Sequence, residues 1–378
     1  MAQKKKKYWM IAVLLLFVIY IFAATQPIPE ERILIPRWLS SLDSGYPVSI
    51  TNDTSPNSSA GMEQFEGDGT GTAYIPFRLG NHFGYIDDSG SFSINRTLQG
   101  YLSISDTRWA EYRAKPESIE IRDPQGENLL RIEKGQGYPL FLDNRTFLIA
   151  DEQNTLSALD DKGNILWTHD FAAPLTCIDA AAGLVLTGSL DGVVDVLNSE
   201  GRRIFSFEPG GSRLAVILGC SISRDGSRLG IISGIDDRRF LLLERFGVPE
   251  SGEYKVSYHE FLEDGFRGAV HISFIDSDNW VVFERQGGLG IHDLGSRTMV
   301  KIPLDGKIAA LETEGSSGLL FVITSQSKEQ KRLVAIDLPG RIIMETPIKS
   351  DNIFLTRRGS RLYLGGGSIL ASFELGRK

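Results

Sequence analysis

Five histidines are the residues best suited to proton transfer or metal binding: His82, His169, His259, His271 and His292. Neither of the short-spaced patterns H-x-H and H-E-x-x-H occurs, so a metal site has no support in the sequence. These histidines therefore read as ordinary strand and loop residues. No G-x-S-x-G elbow supports a serine nucleophile, and a triad assembled in space leaves no trace in sequence. The glycine clusters beginning at Gly135, Gly288 and Gly365 do not belong to G-x-x-x-x-G-K-[ST], and no helix follows to present its N-terminus to a phosphate. Cys177 and Cys220 are the only cysteines, which excludes a disulfide framework and a cysteine zinc site. They read as buried small hydrophobes, or as one disulfide if the domain lies outside the cytoplasm. The expectation is a non-enzyme with no catalytic residue, no metal and no cofactor.

One stretch is a candidate for binding rather than catalysis. The segment Arg245 to Gly268 lengthens its surroundings, and long loops on a rigid scaffold often carry contacts. Tyr254, Tyr258, His259 and Phe261 are the candidate binding-loop residues. Against this, Tyr254, Val256 and Tyr258 alternate, as one face of a strand does.

Charge narrows the partners. The net charge is −8, yet Lys4 to Lys7 are the only charges in the first 24 residues. The rest carries 36 basic against 48 acidic groups, so it repels phosphate backbones on average and nucleic acid is not an expected partner. Behind the lysines runs an uncharged apolar segment, 8–24. As a helix it spans about 25 Å, near the lower limit for a bilayer. The basic tail, 1–7, stays cytoplasmic by the positive-inside rule and the following chain exits. The expectation is an uncleaved signal anchor and an extracytoplasmic domain, periplasmic in a bacterium. Residues 30–43, with Ile33, Ile35, Trp38 and Leu39, are read as a short amphipathic helix. Together with the polar stretch after them they make 25–71 a juxtamembrane segment and flexible linker.

The elements beyond residue 72 must hold whatever site exists, and they repeat. A strand, a turn with Asp or Asn near its start and Gly near its end, then a strand recur as YIDDSGSFSI, EIRDPQGENLLRI, SALDDKGNILWTH and DVLNSEGRRIFSF. Asp87, Asp123, Asp160 and Asn198 are spaced by 36, 37 and 38 residues, and later forms follow at Asp293 and Asp337. A period of about 40 residues with four strands per unit is the signature of a β-propeller. Eight such turns favour eight four-stranded blades over seven, within an all-β domain spanning 72–378. The C-terminal unit has room for three strands, so the N-terminal part of the domain is expected to supply the fourth.

Ala158, Asp160, Gly163 and Trp167 resemble the repeat of the PQQ-like propeller superfamily, with one residue fewer between Asp and Gly. The resemblance implies that Trp167 packs between neighbouring blades, with Phe205 in the same place one unit later, after Asn198 and Gly201. SISRDGSRLGIISG resembles a phrase of WD40-like and TolB-like propellers, and implies that Asp225 and Gly226 turn between the first two strands of their blade. The quinone-dependent enzymes of the superfamily often carry adjacent cysteines, which this chain lacks. The propeller lipoprotein of outer-membrane protein assembly is similar in repeat type, although no lipidation cysteine follows the apolar run here. The leading expectation is a membrane-anchored, non-catalytic protein-interaction scaffold in the envelope. The alternative is an extracytoplasmic ligand sensor or enzyme that uses the propeller funnel.

Overall fold

The structure is a computed structural model describing residues 32–43, 47–49, 74–247, 253–263, 268–314 and 318–377. The apolar segment 8–24 lies outside the described residues. Among the described residues no helix is long and apolar enough to cross a membrane. Contacts divide the chain into a main unit, residues 36–374, and a small one, residues 1–35 with 375–378.

Eight antiparallel sheets follow one another along the main unit. Blade 1 has three described strands, Ile75–Leu79, His82–Ile86 and Phe92–Thr97. Blades 2 to 7 have four strands each, over residues 101–133, 138–170, 175–207, 217–261, 272–303 and 307–349. Blade 8 takes Ile353–Arg358, Arg361–Gly366 and Ile369–Arg377 from the C-terminus, then adds Arg32–Ser41 and Pro47–Ser49 from the other end of the chain. The domain is an eight-bladed β-propeller, as the turn count favoured.

Burial follows strand position. The second strands are largely buried, as in Leu184–Ser189 and Trp280–Arg285, where all but the first residue is buried. A strand covered by a neighbouring blade on both faces has no solvent side and needs no alternation. Outer strands such as Arg341–Lys349 are largely exposed. The core is therefore a series of slabs between blades. Leu186, Val196, Cys220 and Leu241 fill the one between blades 4 and 5, and Val282, Ile291, Leu320 and Val334 the one between blades 6 and 7.

The structure corrects the linker in one respect. Residues 32–41 form the fourth strand of blade 8, not an amphipathic helix, so the closing strand comes from upstream of the expected domain. Its burial alternates residue by residue, which a helix would not produce. Pro36 interrupts a helix interior but is tolerated in a strand near a sheet edge. Trp38 from this strand joins Phe77, Ile86, Tyr363 and Leu370 in the slab between blades 8 and 1, and so closes the ring.

Candidate functional site

The recurring Asp or Asn builds the same turn between the third and fourth strands. Asp160 Oδ1 accepts from the backbone N–H of Lys162 at 2.9 Å and of Asn164 at 2.8 Å, and Gly163 N–H donates to the Asp160 carbonyl at 3.1 Å. Asn198 does the same with Glu200, Arg202 and Gly201 at 3.1, 2.9 and 3.0 Å. Asp87 and Asp123 repeat the pattern. An Asx side chain can close such a turn because it reaches its own backbone two residues on. The bonds from Asn164 hold the Asp160 carboxyl below its usual range. These carboxylates are committed to their turns and are poor candidates for ligand chemistry.

Trp167 stands opposite Ala158 on the outer edge of blade 3 and reaches blade 4, where its Nε1 donates to the Ser199 carbonyl at 3.0 Å. Its ring lies over Gly201, whose φ is +75°, and a Cβ there would sit 2.5 Å from Cδ2. Trp38 repeats the contact between blades 8 and 1. Its Nε1 donates to the Asp88 carbonyl at 3.0 Å and its ring covers Gly90, where a Cβ would lie 2.6 Å from Cδ2. The residue two places on also matches, since Ser40 Oγ donates to the Gly90 carbonyl at 2.7 Å and His169 Nδ1 lies 3.2 Å from the Gly201 carbonyl. Phe205 holds the register of Trp167, opposite Val196, and packs on Tyr254 of blade 5 at 5.1 Å between centroids. Replacing Gly201 by alanine combines strained backbone with overpacking and is expected to cost about 2–3 kcal/mol in urea unfolding. A loss below about 0.5 kcal/mol would remove this docking role.

Asp225 and Gly226 lie between the first two strands of blade 5, Ile217–Ile222 and Arg228–Ser233. Asp225 Oδ1 accepts from Ser223 Oγ and Ser227 N–H, at 2.7 and 2.9 Å. The Gly226 carbonyl accepts from Arg245 Nη2 and Tyr254 Oη, both at 2.7 Å.

The candidate binding loop is corrected. Tyr254, Tyr258, His259 and Phe261 all lie on one strand, Tyr254–Phe261, the outer strand of blade 5. Tyr254 is buried and bonded as above. Tyr258 packs on His292 of blade 6 with the rings tilted and 4.2 Å between centroids, whereas Phe261 is exposed. The alternation that competed with the loop reading was the strand's own periodicity. The five histidines are spread over blades 1, 3, 5 and 6. His292 is fully buried, and burial pulls its pKa down, so it is neutral packing material. Among the described residues no cluster of three metal-ligating side chains occurs.

The axial funnel holds a cavity of about 760 Å³. Its wall consists of innermost strands and the turns that follow them in blades 3 to 8, which contribute Asp143, Asp179, Arg224, Asp278, Glu314 and Arg358 among others. Asp179 Oδ2 bridges blades 4 and 5 by accepting from Ser221 Oγ and Ile222 N–H, both at 2.9 Å. Burial raises its pKa although these bonds oppose the rise. Arg358 pairs with Asp106 and Glu314, and Asp278 Oδ2 accepts from Arg224 N–H at 2.8 Å. Buried Arg357 donates from Nε to the Gly359 carbonyl at 2.9 Å and from Nη1 to the Leu319 carbonyl at 3.1 Å. The funnel thus presents fixed charges of both signs, suited to recognising a polar partner. Sequence reading missed these residues because they are spaced irregularly and converge only when the blades form a ring. The one local signal was turn chemistry, as at Asp143 and Asn144, where φ is 49° and 55°.

A family model described as beta-propeller protein matches residues 1–377. The chain is 26% identical over 376 residues to an uncharacterized protein of Treponema pallidum (strain Nichols), covering 99% of this chain and 96% of that one. Among solved structures, BamB from Moraxella catarrhalis superposes with a TM-score of 0.53 at 13% identity, over 81% of this chain and 99% of that chain. The computationally designed Ika8 protein superposes with a TM-score of 0.54 at 15% identity, over 82% and 98%. At these identities the structural likeness shows the fold alone.

Proposed function

We propose, from the premise that this chain belongs to the beta-propeller protein family, that it is a membrane-anchored, extracytoplasmic, non-catalytic scaffold for protein interaction in envelope protein assembly. The observation that carries this reading is the funnel. Its carboxylates and guanidiniums are tied to each other and to backbone groups, an arrangement suited to recognition rather than turnover. The fold likeness to BamB is compatible with it. We also read the blades as PQQ-like, because Trp167 over Gly201 and Trp38 over Gly90 are inter-blade docking contacts of the kind that resemblance implies.

In this reading residues 8–24 cross the membrane, the lysine tail stays cytoplasmic and the propeller lies outside.

The test is site-specific photocrosslinking in cells from Asn144, Arg224 and Ser277 at the funnel, with exposed Lys255 on the outer edge of blade 5 as control. Detergent extraction, affinity purification and mass spectrometry then identify what is captured. The expected result is one envelope protein captured from the funnel positions and not from Lys255. No reproducible protein from any position, with a small molecule retained by the purified chain, would overturn the scaffold and favour the ligand-sensing alternative, for which the 760 Å³ cavity has room.

A further inference from the structure

We propose that Cys177 and Cys220 are a bridging pair, placed to close as a disulfide that staples blade 4 to blade 5. Cys177 lies on Leu175–Ala181 and Cys220 on Ile217–Ile222, the innermost strands of adjacent blades. Direct bonds between these strands bracket the pair. Thr176 Oγ1 donates to the Ile217 carbonyl at 2.5 Å on one side. Asp179 accepts from Ser221 Oγ and Ile222 N–H at 2.9 Å on the other. Cys177 is two residues before Asp179, so it shares the face that meets blade 5. Consistently, its Sγ would lie 2.7 Å from a Cβ added at Gly188, a site that also meets Ile217 of blade 5. Both cysteines are free thiols packed in the same apolar slab.

Closing the bond removes two protons and two electrons from the two thiols and joins Sγ to Sγ. The electrons pass to a disulfide of the thiol–disulfide oxidoreductase class, or to a small disulfide such as oxidised glutathione, which becomes the dithiol or two thiols. Burial pushes the Cys220 thiol up, which suppresses the attacking thiolate in the folded domain. The bridge should therefore form as the blades assemble rather than afterwards. The bond itself rests on the geometry above. Its presence in the cell also rests on the extracytoplasmic reading.

The test uses the full-length chain in detergent, and its two arms separate those two dependences. In the first, reduced protein is unfolded and refolded with oxidised glutathione, then denatured and alkylated. The expected product is about 2 Da lighter than the reduced chain, takes no alkyl group and yields a linked peptide containing both cysteines. Two alkylatable thiols after refolding would overturn the pair. C177A and C220A should each keep one reactive thiol. In the second arm, cells are treated with N-ethylmaleimide before lysis. A bridged chain supports both the pair and the extracytoplasmic placement. Thiols alkylated in the cell, in a chain that closes in the first arm, uphold the pair and reject the placement.

Discussion

Replacing Trp38 by alanine is expected to lower the unfolding free energy by about 3–5 kcal/mol, the range for large aromatic truncations in a packed core. The indole is 4% exposed, donates to the Asp88 carbonyl at 3.0 Å, covers Gly90 and lies 6.1 Å from the Tyr363 ring. Its location makes the loss larger than the area alone. Blade 8 is completed by the strand that carries Trp38, and the slab against blade 1 is the seam where the two ends of the chain meet. Loosening an ordinary slab strains one pair of blades, whereas loosening the seam opens the ring. Trp167, half-buried in the equivalent place between blades 3 and 4, should cost less when truncated. The measurement is denaturant unfolding of W38A, W38F and W167A, with W38F retaining most of the stability. A W38A loss within 1 kcal/mol of wild type would show that the seam does not depend on this residue.

The second large effect is a pH dependence carried by Glu312, the last residue of the innermost strand of blade 7. Its side chain is 4% exposed and its Oε1 has no hydrogen-bond partner among the described residues. Burial pushes its pKa up to about 8, against the opposing pull of Arg357. In the unfolded chain the group titrates near 4.5. Between those values the native state holds a proton that the unfolded state has released, so stability falls as pH rises through this window. Below about pH 4.5 both states are protonated and the penalty vanishes. Above pH 8 it is complete, on the order of 4 kcal/mol. Glu312→Gln keeps the shape and stays neutral. It should therefore match wild type near pH 5 and exceed it by several kcal/mol near pH 9. Urea unfolding at pH 5, 7 and 9 measures this, and parallel curves for the two proteins would dismiss Glu312 as the cause.

The blade turns were legible because their chemistry is local. An Asp or Asn that closes its own turn and a Gly that takes positive φ leave the same mark in the first four blades, so Asp160, Gly163, Asn198 and Gly201 could be read off the chain. Trp167 was legible for the same reason, since it follows its turn at a fixed distance. Trp38 was not. No repeat turn precedes it, because its partners in blade 8 lie at the other end of the sequence. The alternation around Pro36 was the signal available, and a helical reading of the apolar positions hid it.

By itself the sequence determined the all-β character, the period of about 40 residues and the turn residues, and it favoured eight blades over seven. These depend on short-range backbone and side-chain preferences that each repeat states again. Only the tertiary structure decided which segment closes the ring, which cysteines become neighbours and which charges line the funnel. Cys177 meets Cys220 and Asp179 meets Ser221 because stacking eight blades about one axis brings successive innermost strands side by side, and Trp38 meets Tyr363 because Arg32–Ser41 joins blade 8 from the other end of the chain. Burial of apolar slabs drives that stacking, and it depends on total buried surface rather than on any pattern within a repeat.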